Sequence, residues 1–229
     1  LLRLPRPSPG GMRRAIRQAM PIAIEELNGT NCKTYLLSAG GSALIVDPVR
    51  ERVPSYLRDI GDRGLRLTLV LETHMHADHL MLGREEKKSL GAEIVMHRQS
   101  PSPLVDRHVD DGGVLELAGE RILVWHTPGH TPDSVCYVAG DAVFTGDTLL
   151  IGGSGRTDFP GGDAGAQYDA VVGRLFALPD ETRVFPAHDY HGRESSTIAR
   201  ERRDNLRFSG KSRDEYIAQM ASLGLPFPD

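Results

Sequence analysis

The sequence predicts a mixed α and β fold, and three observations carry that prediction. Short apolar runs of strand length recur along the chain, Leu67-Thr68-Leu69-Val70-Leu71 being the clearest, and such a run reads as a buried strand. Tyr168, Val171, Val172, Leu175 and Phe176 fall at helical spacing. The order strands, helix, strands, helix occurs in each half of the 229 residues, without a short-period repeat. A chain of this length can bury a substantial core. Its 39% hydrophobic and 25% charged residues are ordinary for a soluble globular protein.

The elements follow in order. Pro21 to Leu27 and Lys33 to Ser38 read as strands around the polar turn Asn28-Gly29-Thr30-Asn31. Gly40-Gly41 makes the next turn, and a third strand, Ser42 to Val46, ends at Asp47-Pro48. Together they form an antiparallel meander. Val53, Leu57 and Ile60, with Tyr56 beside them, give a helix closed by Gly61 and Gly64. The strand Leu67 to Leu71 comes next, then a helix to Leu90 stopped by Gly91, then a short strand from Glu93 to His97. Arg98 to Asp111 is polar and proline-bearing, which predicts an irregular loop. In the second half Val114–Leu117, Ile122–His126, Ser134–Val138 and Ala142–Thr145 are strands between glycine turns. The helical stripe that follows ends at Pro179, and Arg183 to Phe185 is a strand. Glu194 to Arg207 reads as a highly charged helix, and Ser212-Arg213-Asp214-Glu215 has the spacing of a capping box that starts the last helix.

Composition narrows the function classes. Net charge is 27 minus 31, or −4, so no basic excess argues for nucleic acid. No apolar run approaches the length of a membrane span. Cys32 and Cys136 make no disulfide framework and no Cys-x-x-Cys pair; they read as buried free thiols, which fits a reducing compartment such as a bacterial cytoplasm. Residues 1–20 are expected to form a disordered or variable arm, with residues 21–229 as one catalytic domain. Arginines without acids up to Ile24 give that arm a faint likeness to a mitochondrial transit peptide, but serines are scarce and a variable leader is the preferred reading.

Chemistry concentrates at Thr73-His74-Met75-His76-Ala77-Asp78-His79, where four metal-ligand side chains fall within six residues. His74 and His76 are two apart, so continued strand geometry points both rings to one side. Asp78 and His79 sit where the next helix begins. Imidazole suits zinc, iron, copper or nickel, and a carboxylate adds charge and hardness. Downstream, His130 stands in Thr127-Pro128-Gly129-His130-Thr131, Asp147 in Phe144-Thr145-Gly146-Asp147-Thr148 and His188 in Phe185-Pro186-Ala187-His188-Asp189-Tyr190, while Asp47 ends the third strand. Of the other histidines, His97 and His126 end strands and read as structural or rim residues, His108 as a solvated loop residue, and His191 as a candidate for the pocket edge.

His-x-His-x-Asp-His after a hydrophobic strand, followed by these stations in this order, resembles the metallo-β-lactamase superfamily from about Ile22 to the C-terminus. The resemblance implies an αββα sandwich, two sheets face to face with helices outside. It also implies a site that can hold two metals, with Asp47 in support. Composition does not choose between two zincs and one iron. The stretch Gly153-Ser154-Gly155-Arg156-Thr157-Asp158-Phe159, with Pro186-Ala187-His188-Asp189-Tyr190-His191-Gly192, looks like the persulfide dioxygenase branch. That likeness implies one Fe(II) per chain, held by His74, His130 and Asp147, with room for O2 and a substrate sulfur. His76, Asp78, His79 and His188 would then orient the ligands and line the pocket. The implied substrates are glutathione persulfide, O2 and water, and the products sulfite and glutathione; a homodimer is compatible with this.

Two substrate-side residues keep two readings each. The planar fork of Arg156 suits a glutathione carboxylate, or pairs with Asp158 or Asp163. Gly155 beside it lets backbone approach a ligand closely. Tyr190 is a candidate to hydrogen-bond substrate, or it packs. Leu80-Met81-Leu82-Gly83 stands where the branch has a small, hydroxyl-bearing segment, and about forty residues follow His188, too few for the C-terminal extension of glyoxalase II enzymes. A dinuclear zinc thioester hydrolase of that type is the rival reading, and a non-catalytic metal-stabilised binding module is the second.

Overall fold

In the computed structural model, which describes residues 21–75 and 82–224, two six-stranded sheets pack face to face. The first sheet holds β1 (Ala23–Glu26), β2 (Tyr35–Ala39), β3 (Ser42–Val46), β4 (Arg66–Leu71), β5 (Glu93–His97) and β6 (Arg107–Val109), in that spatial order. The first three are the expected antiparallel meander, and β3 to β6 run parallel. Parallel neighbours need crossovers, which α1 (Val53–Asp62) supplies between β3 and β4, α2 (Arg84–Leu90) between β4 and β5, and a loop over residues 98–106 between β5 and β6. The second sheet holds β7 (Val114–Leu117), β8 (Glu120–His126), β9 (Val135–Ala139), β10 (Ala142–Gly146), β11 (Arg183–Pro186) and β12 (Ser196–Thr197). On it lie α3 (Ala164–Gly173), α4 (Ile198–Asp204) and α5 (Arg213–Ala221).

Why the central strands are continuously apolar follows from these layers. In β3, Leu44 and Val46 face the other sheet and join Leu71 of β4 in a cluster with Val124, Tyr137, Phe144 and Phe185 of the second sheet. Ile45 faces outward and packs with Val53, Tyr56 and Leu90 of the helices. The second sheet does the same: Val143 and Val184 turn outward onto Val171, Leu175, Ile198 and Tyr216. A strand buried on both faces cannot alternate with polar residues. The expected αββα sandwich is therefore present.

Three elements depart from the sequence reading. The stretch expected to be irregular contains β6, a three-residue edge strand paired to β5 through Met96 and His108, too short to show a period. The helix expected from Glu194 to Arg207 shrinks to α4, because Ser196 and Thr197 first add an edge strand to β11. The Thr197 hydroxyl then caps the helix by accepting from the Arg200 N–H. The stripe from Tyr168 to Phe176 breaks at Arg174 into α3 and a 3-10 turn over Leu175–Ala177. The last helix starts at the expected capping box, with Ser212 and Glu215 each satisfying the other's backbone N–H. The arm 1–20, and His76, Asp78 and His79, lie outside the described residues.

Strand direction places the chemistry. β3, β4 and β5 are parallel, and so are β10 and β11; β8 runs the same way as β10 because both are antiparallel to β9. The polar residues that follow these strands are Asp47, Thr73, His74, His130, Asp147 and His188.

Candidate metal centre

β4 delivers the first candidate ligand. Beyond Leu71 the chain is tied to the opposite sheet: Tyr137 Oη donates to Glu72 O at 2.9 Å, and Val135 N to Thr73 O at 2.8 Å. Met75 N donates to the buried Asp133 carboxylate at 3.1 Å. His74 between them is buried. Across the site, Gly146 has φ of +54°, and a Cβ there would lie 2.6 Å from Thr73 Oγ1. Only glycine lets the residue before Asp147 come this close.

His74, His130 and Asp147 each offer a ligand atom within 4.8 Å of the other two. His130 Nε2 lies 3.6 Å from Asp147 Oδ2, and the two imidazoles meet edge to face at 81° with centroids 4.9 Å apart. Hydrogen bonds fix which nitrogen of each ring faces the centre. His130 Nδ1 lies 2.7 Å from Arg156 O, and a carbonyl can only accept, so Nδ1 carries a proton and the neutral ring would present its lone pair at Nε2. Thr73 Oγ1 donates to Asp47 Oδ2 at 2.9 Å and so accepts from His74 Nδ1 at 2.8 Å, which leaves Nε2 as the donor there too. Asp47 also accepts from Thr73 N at 2.7 Å, and its φ of +49° is an unusual conformation for a non-glycine residue. Asp47 thus stands behind Thr73, which in turn meets His74. His188 Nδ1 donates to Asp147 Oδ1 at 2.7 Å, turning Oδ2 toward His130.

Burial alone would push the Asp147 carboxyl up, but His188, then His130 and His74, hold it far below the usual carboxylate range. It is ionised. Behind it the loop closes tightly: a Cβ on Gly155 would lie 2.6 Å from Asp147 O and 2.9 Å from His130 Nδ1. Two imidazoles, which bind a metal in their neutral form, and one carboxylate, each steadied by a second hydrogen bond, fit a divalent metal ion with nitrogen and oxygen preference.

The remaining candidates are placed as follows. Arg156 makes a two-point pair with Asp158, at 2.6 Å for both Nε and Nη2, and its guanidinium lies over the Phe159 ring at 4.7 Å. Tyr190 is 63% exposed and its ring is parallel to that of His188, 6.1 Å away. Both border a cleft of about 400 Å³ with Leu206 and Arg207. His97 and His126 stack at 3.9 Å and 11°, joining the ends of β5 and β8. Cys136 is fully buried, and that burial pushes its thiol up to about 12, so it is inert; Cys32 is half-buried, and its backbone bridges that of His188.

Sequence reasoning missed Thr73, Asp133 and Gln167. Thr73 stands directly before the motif, and a hydroxyl there was the available signal. Asp133 and Gln167 act through contacts 58 and about 20 positions away in sequence, and nothing local marks them.

Comparison with known proteins agrees with the geometry. The model of the metallo-beta-lactamase superfamily matches residues 27–188. The human persulfide dioxygenase ETHE1, mitochondrial, is 40% identical over 201 residues, covering 85% of this chain and 78% of that protein. The crystal structure of ETHE1 from Myxococcus xanthus superposes with a TM-score of 0.86 at 41% identity, covering 90% of this chain and 93% of the other. A probable metallo-hydrolase of Burkholderia pseudomallei is 32% identical over 84% of each chain. The chain belongs to the metallo-beta-lactamase superfamily and, within it, to the persulfide dioxygenase branch.

Proposed function

We propose that this chain is a persulfide dioxygenase that converts glutathione persulfide, O2 and water to glutathione and sulfite, with one Fe(II) held by His74, His130 and Asp147. The observation that carries the reading is the small, one-sided donor set in a chain of this branch: two imidazole Nε2 atoms and one carboxylate oxygen. Iron(II) in such a set supplies the redox chemistry that dioxygen needs to react with sulfur, which zinc lacks. The protein's own part is orientation. Arg156 O and Thr73 Oγ1 hold the two imidazoles in one tautomer and one attitude. His188 and its hydrogen bond keep Asp147 ionised and aimed. We assign His76, Asp78 and His79 to the same supporting role.

On the substrate side, Tyr190 stands at the exposed rim, where its hydroxyl can donate to the incoming persulfide. Arg156 offers its fork to a glutathione carboxylate in exchange for, or beside, Asp158. Gly155, without a side chain, leaves room for substrate to approach the backbone. The reading includes a single catalytic domain over residues 21–229 and a reducing compartment, the bacterial cytoplasm, in which the free thiols of Cys32 and Cys136 persist. Among the described residues no helix is long and apolar enough to cross a membrane.

The test follows dissolved oxygen and sulfite together while iron-loaded protein turns over glutathione persulfide. Oxygen uptake should track sulfite release and stop on chelation, with one iron per chain and negligible cleavage of S-lactoylglutathione. Brisk thioester cleavage under nitrogen, with two zincs per chain and no oxygen uptake, would replace the reading with the hydrolase.

A further inference from the structure

We propose that Gln167 is a positioning residue for the metal centre, holding the loop that carries Asp147 in register with the turn that carries His130. The inference rests on the reading of His74, His130 and Asp147 as metal ligands. It begins with α3, whose first turn presses on the residue before His130. Asp163, the cap of that helix, donates its N–H to Gly129 O at 2.8 Å. Gly129 has φ of +146°, and a Cβ there would fall 2.4 Å from Gln167 Cβ and 2.6 Å from its Cα. Any other residue at 129 would force the helix off the turn.

The side chain of Gln167 reaches the second ligand segment. It is fully buried, and its Nε2 donates to Thr148 O at 3.0 Å and Asp147 O at 3.1 Å, with Gly155 O at 3.4 Å. Carbonyls cannot donate, so the amide nitrogen must face them, and Oε1 must face the other way. There Oε1 accepts from Tyr216 Oη of α5 at 3.2 Å, and Ser154 Oγ lies 3.1 Å from the same hydroxyl. Backbone contact to Gly129 and side-chain contact to Asp147 thus come from one residue of one helix. The spacing they set is the 3.6 Å between His130 Nε2 and Asp147 Oδ2. Gln167 touches neither metal nor substrate; it acts through the two ligand-bearing segments.

A side chain that only fills space here could be apolar, since Val171 and Leu175 of the same region are buried hydrophobics. A buried amide carries a desolvation cost unless both its ends are satisfied. Gln167 is satisfied at both, and the partners at its nitrogen end are all main-chain atoms of the Asp147 loop.

The experiment measures cobalt(II) affinity by chelator competition, the visible spectrum of the cobalt-loaded protein, and the thermal midpoint of the metal-free protein. Gln167→Leu should weaken cobalt binding tenfold or more, the range for losing a partner behind a ligand, and alter the cobalt bands at temperatures where circular dichroism shows an intact fold. Gln167→Met keeps the length of the side chain but loses the donor, and should fall with Gln167→Leu. Tyr216→Phe leaves the donor in place and should shift affinity by less than about threefold, within the spread of a single lost neutral hydrogen bond. If Gln167→Leu does not fold, Gln167→Met carries the same test. Wild-type cobalt affinity and spectrum in folded Gln167→Leu or Gln167→Met, with only a lower thermal midpoint, would overturn the proposal. His130→Ala is the control: if it binds cobalt as tightly as the unaltered chain, the metal-site reading itself fails.

Discussion

Among the described residues two pairs of imidazoles bridge the sheets of this sandwich, each with one ring from either sheet, and they are built to opposite ends. His74 and His130 meet edge to face at 81°, with their Nδ1 atoms turned away into hydrogen bonds and their Nε2 atoms sharing a space with Asp147. His97 and His126 lie flat on one another at 11°, and His126 Nε2 bonds to Pro132 O at 2.8 Å. Stacked rings direct their in-plane lone pairs alongside each other, so no single ion can be reached by both; crossed rings can converge. A lone count of histidines would weigh the pairs equally. What distinguishes them is the partner behind each ring and the presence of a carboxylate in front.

The largest effect should come from the crossed pair. His74→Ala, His130→Ala or Asp147→Ala should each reduce iron content to background and abolish oxygen uptake, read by metal analysis of anaerobically purified protein. His97→Ala should leave iron content unchanged. Equal loss of iron from both pairs would erase the distinction.

Next is Arg156, whose two ends serve different purposes. Its main-chain carbonyl holds His130 whatever the side chain, so Arg156→Ala should keep its iron. If the fork grips a glutathione carboxylate, kcat/KM should fall by the equivalent of about 2–5 kcal/mol, and Arg156→Lys should rescue only in part. Unchanged kinetics with a lower thermal midpoint would confine the side chain to its pair with Asp158.

The smallest effect belongs to the stacked pair. Burial, then the neighbouring His126, holds His97 below the ordinary histidine value of 6.5, against the opposite pull of Asp110 and Asp133. The unfolded chain therefore takes up this proton first. The contribution is fully present above that ordinary value and is lost as pH falls below it toward the folded value. Denaturant midpoints should decline over that window in the unaltered protein. In His97→Phe, which keeps a ring and loses the titration, the decline should be shallower. His97→Ala should cost about 0.5–1.5 kcal/mol of ring-ring contact beyond the lost area. An identical pH profile in His97→Phe would show that the stack carries no proton linkage.

Much of this was legible along the chain, for a local reason. Apolar runs bounded by glycine turns located the central strands, because a strand buried on both faces must be apolar throughout. His74 was recognisable because it stands in a histidine-rich run just beyond a strand, and His130, Asp147 and Asp47 because their order around that run resembles the superfamily. The edge strand β6 was not legible. Three residues, Arg107 to Val109, carry no period, and pairing with β5 decides their state. The charged stretch from Glu194 was misread for a similar reason: Ser196 and Thr197 join β11 only because its edge is open to them.

The candidate ligand types and their order are written in the chain, and its resemblance to known proteins points to the branch. These survive any description of packing. Which ring nitrogen faces the candidate metal position is settled in space, because it depends on Arg156 O and Thr73 Oγ1, one of them 26 positions from its histidine. The tertiary structure alone separated the crossed imidazoles from the stacked ones and placed Gln167 behind Asp147. Hydrogen bonds and ring contacts act over a few ångströms of space. Residues that are far apart along the chain acquire them only when both sheets have closed on a common core.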